Sequence, residues 1–139
     1  MLLDVGVWLA AVWSGHARHR AVAAWFDDQA TDLYLCRVTQ MGLLRLLSNP
    51  AIMGPDVVTR ADAWRVVDQL RADPRIHWRS EPANIEQVWR ALSARADASH
   101  KRWTDDYLAG FSQAGALPLA TLDRKFAERY PSITVETLG

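Results

Sequence analysis

Residues 1–10 read MLLDVGVWLA and place a single carboxylate, Asp4, between two apolar runs. Burying an unpaired charge is costly, so an acid at this position needs a structural or a chemical reason. Residues 1–5 predict a short buried strand with the acid at its end. The reason for this acid therefore has to be sought in what surrounds the end of the strand.

The composition predicts one domain over residues 1–139. Half of the residues are hydrophobic and seven are tryptophan, which is enough apolar material for one core. The charges of the 16 basic and 16 acidic residues cancel, so binding of nucleic-acid phosphate would need a local basic patch. A single cysteine excludes an internal disulfide and a CxxC metal site. No apolar run reaches the roughly 18–20 residues of a bilayer span and no cleavable leader precedes Asp4, so we expect a cytoplasmic protein without a membrane partner.

Short apolar segments alternate with helical stripes along the chain. The apolar segments predict strands at residues 1–5, 33–36, 75–79, 117–121 and 133–135. The stripes predict helices at residues 17–29, 38–48, 55–71, 83–95 and 104–114, with Trp25, Trp64 and Trp89 facing the core, Thr104 as an N-cap and Gly115 as a stop. This alternation predicts an α/β fold whose central sheet is mostly parallel and covered on both faces.

Acidic residues from distant parts of the chain fall where such a sheet would bring them to one edge. Asp4 ends the first strand, Asp123 ends the fourth, and Asp105 and Asp106 open the helix before the fourth strand. Ligands of open parallel sheets bind at the carboxyl ends of the strands. Clustered carboxylates repel one another unless a cation lies between them, and their hard oxygens select Mg²⁺ or Mn²⁺.

Each acid also has a purely structural interpretation. The helix dipole favours acids in a first turn, which accounts for Asp105 and Asp106. Asp123 can simply begin a turn. Asp4 is the hardest to explain in this way because both of its flanks are apolar.

Four stretches in order resemble a PIN domain and, more narrowly, a VapC-type toxin of a bacterial toxin–antitoxin pair. They are LLDVGVWLA, VTQMGLLRLLSNP, WTDDYLAGF and LATLDRKF. Each is weak alone, but four in sequence are specific. The resemblance implies a PIN-like α/β/α sandwich, a Mg²⁺- or Mn²⁺-dependent endoribonuclease, an RNA substrate, frequent homodimers, and an antitoxin that blocks the site.

The resemblance also assigns roles to individual residues. Asp4, Asp105 and Asp123 match the family's catalytic, metal-holding carboxylates, and Thr121 matches the hydroxyl that accompanies the last of them. Asp106 is either an auxiliary acid or only a first-turn charge. Bound metal would activate a water for hydrolysis of a phosphodiester. Basic residues near the same edge are candidates for contacts with the RNA backbone, although surface charge is their ordinary role: Arg37, Arg45, Lys101, Arg102 and Arg124.

Two positions depart from the family pattern. Gly6 stands where the family usually has asparagine, and Gly42 stands where it usually has glutamate, with Gln40 as the nearest polar substitute. Three carboxylates plus waters can hold one metal. The departures leave open an alternative, a catalytically weakened PIN fold that binds RNA or antitoxin without efficient cleavage.

Two other Mg²⁺-dependent classes conflict with the residues around Asp4. A haloacid-dehalogenase-like phosphatase needs a second aspartate two residues after the first, where this chain has Gly6. A receiver-type phosphoacceptor domain begins with paired acids, and no such pair occurs near Asp4.

Overall fold

A five-stranded sheet with all pairings parallel forms the centre of the molecule, which a computed structural model describes over residues 1–139. The strands are Leu2–Leu3 (β1), Leu33–Leu35 (β2), Ile76–Trp78 (β3), Leu119–Thr121 (β4) and Val135–Thr137 (β5). They lie in the order β3-β2-β1-β4-β5. The chain therefore runs outward on one side of β1 and then returns to its other side, which places the switch point between β1 and β4. The predicted α/β class with a parallel sheet is confirmed.

Helices cover both faces of this sheet. They are Val5–Val12 (α1), His19–Asp27 (α2), Arg37–Leu47 (α3), Pro50–Met53 (α4), Arg60–Arg71 (α5), Ile85–Ser93 (α6), Trp103–Gly115 (α7) and Phe126–Arg129 (α8). Successive strand residues point to opposite faces, so Leu3 and Ala120 pack with α1 to α5, whereas Leu2 and Leu119 pack with α6 to α8. The result is a three-layer sandwich. No helix is both long enough and apolar enough to cross a bilayer.

The predicted strand over residues 1–5 is wrong at its end. β1 stops at Leu3, and α1 begins directly after Asp4. Asp4 is the N-cap of α1, with extended backbone angles and a side chain that accepts a hydrogen bond from the Val5 N–H. The acid is thus held rigidly between a strand and a helix at the carboxyl edge of the sheet.

Several predicted details at element ends differ from the structure. α7 begins one residue before Thr104, and Arg102 precedes it without a side-chain cap. The left-handed residue after α7 is Ala116 rather than Gly115. The helix predicted from residue 55 starts only at Arg60, because Thr59 caps it and residues 50–56 form a separate short helix and a 3-10 turn.

Two further predictions need correction. The last strand lies at residues 135–137, two positions later than the predicted 133–135. Trp64 does not belong to the core, because 49% of it is exposed on α5. Its helical spacing is that of a buried stripe, but the side chain lies outside both hydrophobic clusters.

Candidate active site

Asp4 lies at the switch point of the sheet. Its backbone N–H donates to the Ala120 carbonyl (3.0 Å), which fixes the residue beside the end of β4. One carboxylate oxygen accepts from the Val5 N–H (2.6 Å) and the other accepts from the Thr121 hydroxyl (3.0 Å). Burial raises the pKa of the Asp4 carboxyl because it disfavours the charged form more than these two hydrogen bonds favour it.

Thr121 connects Asp4 with the third predicted acid. The hydroxyl that donates to Asp4 also accepts from the Asp123 N–H (3.1 Å), and the side chain of Thr121 is fully buried. The Asp123 carboxylate accepts in turn from the Lys125 N–H (2.9 Å). This gives the T-x-D pattern a physical reason, since the hydroxyl fixes the carboxylate of Asp4 and the backbone of Asp123 at the ends of neighbouring strands.

Arg129 bridges the other two predicted carboxylates. Its Nη2 lies 2.5 Å from Asp123 Oδ2 and 3.1 Å from Asp105 Oδ2. The arginine side chain is about one-fifth exposed, and its guanidinium carbon lies 5.6 Å from the ring centre of Phe126 and 5.7 Å from that of Tyr130. The arginine that joins two candidate site residues was missed by the sequence analysis, because it belongs to no motif.

The three carboxyls respond differently to this environment. The hydrogen bond from Arg129 lowers the pKa of Asp123. The pKa of Asp105 is raised instead, because burial and the nearby charge of Asp4 outweigh the attraction of Arg129. Charge repulsion among the acids is therefore only partly compensated in the metal-free chain.

Asp106 points away from these carboxylates. It accepts a hydrogen bond from the Tyr130 hydroxyl (2.6 Å). Burial and this contact raise the pKa of Tyr130 above its usual value. The two adjacent acids of α7 thus have separate partners, as expected for neighbours about 100° apart on a helix.

Gln40 does not join the acidic residues either. Its side chain is buried, and its carbonyl oxygen accepts from Arg37 Nη1 (2.5 Å). A Cβ at Gly42 would lie 2.7 Å from Val5 Cγ2, so Val5 fills the space from which a glutamate side chain would start. A Cβ at Gly6 would meet nothing closer than Leu122 Cδ1 at 3.8 Å, so a side chain fits there.

The residues offer ligand atoms that suit a metal ion, but their side chains are not clustered into a coordination site. No group of three or more Asp, Glu, His or Cys side chains lies close enough together to hold one ion. Arg129 instead connects the carboxylates of Asp105 and Asp123, and Thr121 connects the carboxylate of Asp4 with the backbone of Asp123. Their hard oxygens suit Mg²⁺ or Mn²⁺. A cationic group already lies between Asp105 and Asp123, so the donor set fits a cation in kind.

Comparison with known proteins defines the class to which this fold and this acidic edge belong. The PIN domain family matches residues 1–130. The chain is therefore a PIN-domain protein, and the predicted PIN-like fold is confirmed.

Curated relatives identify the branch of the family. Ribonuclease VapC41 of Mycobacterium tuberculosis (strain ATCC 25618 / H37Rv) is 37% identical over 145 aligned residues, which cover 100% of this chain and 99% of that protein. The chain belongs to the VapC ribonucleases, and the resemblance found in its motifs is confirmed.

Solved structures agree on the fold. VapBC2 from Rickettsia felis, bound to a DNA fragment from its promoter, matches with a TM-score of 0.69 at 12% identity, over 99% of this chain and 98% of that one. Mycobacterium tuberculosis VapC20, a toxin that cleaves the sarcin–ricin loop, matches with a TM-score of 0.69 at 16% identity, over 91% and 92%.

Proposed function

We propose that this VapC-family endoribonuclease is the toxin of a toxin–antitoxin pair and hydrolyses RNA phosphodiester bonds with Mg²⁺, or Mn²⁺, held by Asp4, Asp105 and Asp123. One observation carries the assignment of the site. Asp105 and Asp123, 18 residues apart in the chain, share one guanidinium nitrogen close to the partly buried Asp4. Two carboxylates that reach the same cationic nitrogen offer hard oxygens of the kind that Mg²⁺ and Mn²⁺ prefer.

The chemistry divides between the ion and the chain. A bound divalent ion supplies an activated water and neutralises charge that develops on the phosphate. Asp4 contributes a carboxylate whose position is fixed by the Val5 N–H and the Thr121 hydroxyl. Asp123 contributes a carboxylate held by the Lys125 N–H. Thr121 acts on both acids through its hydroxyl and is therefore a positioning residue.

Arg129 has a supporting role in this proposal. It compensates two carboxylates when no ion is present, which limits their repulsion. A divalent ion held by the same carboxylates would compete with Arg129 for their oxygens. Its place on the short helix α8, stacked beside Phe126 and Tyr130, keeps the guanidinium close to the site.

A second candidate function is RNA or antitoxin binding without efficient cleavage. It is favoured by the glycines at positions 6 and 42, which supply no side chain to the site, and by the paired rather than clustered carboxylates. The two candidates differ in one respect. For a nuclease, a change of Asp4 should abolish RNA cleavage and leave RNA binding intact. For a protein that only binds, the same change should remove no activity.

The partners follow from the same proposal. An antitoxin that blocks the site is supported by the similarity to VapBC2. We further propose that the toxin forms homodimers and acts on RNA in the cytoplasm. Analytical ultracentrifugation of the purified chain, alone and with its antitoxin, measures both associations.

Expression in bacteria tests the proposed toxicity. The wild-type chain should arrest growth, Asp4→Asn should relieve the arrest, and co-expressed antitoxin should do the same. Protein levels must be matched, because a destabilised variant also loses activity through degradation. Equal arrest by both chains at equal abundance would rule out a role of Asp4 in toxicity.

A further inference from the structure

A cavity of about 780 Å³ opens beside the carboxylates. It lies between the end of α6, the start of α7 and the end of α8, and residues 94–102 close its remaining side. Its volume falls within the range of about 300–1,000 Å³ that is typical of small-molecule sites. The proposed chemistry uses none of this space.

Trp103 forms an aromatic wall of the cavity. It is the most exposed large hydrophobic residue of the chain, with 55% of its surface accessible. Its ring packs edge-on against Trp89, with 6.2 Å between centroids and an interplanar angle of 77°, and Trp89 packs edge-on against Tyr107 at 5.4 Å. These contacts hold the indole in place and leave part of its surface open. An exposed, supported indole is suited to stacking on a planar ligand.

Two arginines of the cavity are available to an anionic ligand. Arg95 and Arg102 line it together with Asp97 and Asp106, whereas Arg129, which also lines it, is already paired with Asp105 and Asp123. Neither Arg95 nor Arg102 forms an ion pair. Because the net charge of the chain is zero, local unpaired arginines of this kind are needed to attract phosphate.

The cavity shares Arg129 with the candidate active site. Arg129 lines it and also contacts Asp105 and Asp123. Asp106, the helical neighbour of Asp105, lines it as well. The cavity is therefore within reach of an RNA strand whose scissile phosphate lies at the carboxylates.

We propose that this cavity is a base-binding subsite, in which an unpaired nucleobase of the RNA stacks on Trp103 while Arg95 and Arg102 contact the flanking phosphates. The proposal rests on the proposed function, since it names RNA as the ligand. Aromatic side chains that carry stacked bases beside a basic groove are typical of single-strand binding. Bases inside a duplex remain stacked on one another and cannot reach the indole. The subsite therefore selects single-stranded RNA next to the cleavage position.

Binding without cleavage tests the subsite separately from catalysis. The full chain is titrated into a short fluorescent single-stranded RNA of mixed sequence in EDTA, and anisotropy gives the affinity. Trp103→Ala should weaken binding at least about tenfold, and Trp103→Phe should restore most of the affinity. Trp64→Ala is the matched control, because Trp64 is also an exposed helical tryptophan but does not line the cavity. Far-ultraviolet circular dichroism and thermal melts establish that each variant is folded.

A duplex of the same RNA forms the second arm. The wild-type chain should bind it more weakly than the single strand, and Trp103→Ala should then make no difference. Arg102→Gln should lower the dependence of affinity on salt by about one released counterion.

The outcomes separate the two proposals. If Trp103→Ala binds the single strand as tightly as Trp64→Ala does, or loses duplex binding to the same extent, the subsite is wrong whatever the cleavage activity. If Trp103→Ala keeps its RNA affinity but no longer binds the antitoxin, the occupant is a protein segment and the proposal is again wrong. If the selective loss occurs in a chain that cleaves nothing when Mg²⁺ is added, the subsite is supported and the proposed nuclease activity fails.

Discussion

Nη2 of Arg129 lies 2.5 Å from Asp123 Oδ2 and 3.1 Å from Asp105 Oδ2. The chain thus supplies its own cation between two acids that would otherwise repel one another. This contact makes the acidic edge of the sheet compatible with a folded protein before any metal binds. If the proposed metal site is correct, a divalent ion would compete with Arg129 for the same oxygens.

Replacing Arg129 should destabilise the metal-free chain and strengthen its binding of metal. We expect Arg129→Gln to lower the free energy of unfolding of the metal-free chain by about 1–2 kcal/mol, because two partly buried carboxylates lose a charged hydrogen-bond partner. Mn²⁺ should bind the variant more tightly than it binds the wild type, since no guanidinium has to be displaced. Urea unfolding and calorimetric titration with Mn²⁺ measure the two effects.

The stability change should depend on pH in a defined direction. The pKa of Asp123 is lowered by Arg129, so this contact stabilises the folded state above the usual pKa of aspartate and is lost as the pH falls through the lowered value. The difference between wild type and Arg129→Gln should therefore be largest at neutral pH and shrink below about pH 4. Arg124→Gln, an exposed neighbour in the same segment, serves as the control. An equal loss for both variants would mean that Arg129 has no special relation to the carboxylates.

Asp4 should reduce the stability of the metal-free chain. Burial raises its pKa, so its contribution to stability is present at low pH and is lost as the pH rises through the raised value. Asparagine keeps an acceptor for the Val5 N–H, places an amide NH₂ against the Thr121 hydroxyl and carries no charge. We expect Asp4→Asn to increase the free energy of unfolding at neutral pH by roughly 0.5–2 kcal/mol and to abolish stabilisation by Mn²⁺.

Thermal melts with and without Mn²⁺ provide the measurement for Asp4. Asp68→Asn, an exposed acid on α5, is the matched control and should keep the full response to Mn²⁺. A metal-induced increase in melting temperature that persists in Asp4→Asn would remove Asp4 from the proposed site.

Asp105 and Asp106 should differ in function despite being adjacent. Asp105 shares Arg129 with Asp123, whereas Asp106 binds Tyr130. Asp105→Asn should lose most RNA cleavage and weaken metal binding. Asp106→Asn should retain much of both, and its amide oxygen can still accept from the Tyr130 hydroxyl, so its cost in stability should stay below about 1 kcal/mol. Cleavage rates at saturating Mg²⁺ and calorimetric metal affinities are measured for both variants. If Asp106→Asn is the more damaging change, Asp106 rather than Asp105 belongs to the site.

Restoring a glutamate at position 42 should require a second change. The new Cβ would lie 2.7 Å from Val5 Cγ2, so Gly42→Glu alone should cost about 1–3 kcal/mol through overpacking between α1 and α3. Adding Val5→Ala removes the clash and should recover much of that loss. Tighter Mn²⁺ binding is expected only in the double variant. If Gly42→Glu alone is as stable as wild type and binds Mn²⁺ more tightly, the contact with Val5 does not limit the size of the side chain at position 42.

The sequence predicted the layered fold well where periodicity was strong. Residues 33–35 and 83–95 are examples, because alternating or helical apolar spacing reports directly on burial. α1 was missed because VGVWLAAV is apolar on all sides and has no periodicity to distinguish a helix from a longer strand. Asp4, a preferred N-cap residue, was the available signal for that helix.

Asp4 and Asp123 became candidates for a similar reason, since strand ends are visible in the sequence, whereas Asp105 was assigned by its match to the family motif. Thr121 was assigned only as an accompanying hydroxyl, and its contacts with Asp4 and Asp123 required the structure. Arg129 was missed because its contacts depend on where α8 packs, and no local pattern encodes that. Gln40 was chosen for its closeness in sequence to Gly42, but Arg37 is its partner.

Cleavage of RNA by the purified chain as Mg²⁺ or Mn²⁺ is titrated tests the central claim most directly. The wild type should be inactive in EDTA and gain activity with metal, while Asp4→Asn at the same folded concentration should stay near background throughout the titration. Cleavage that continues in EDTA, or an Asp4→Asn chain that cleaves at the wild-type rate, would contradict a metal-dependent ribonuclease site built on Asp4, Asp105 and Asp123.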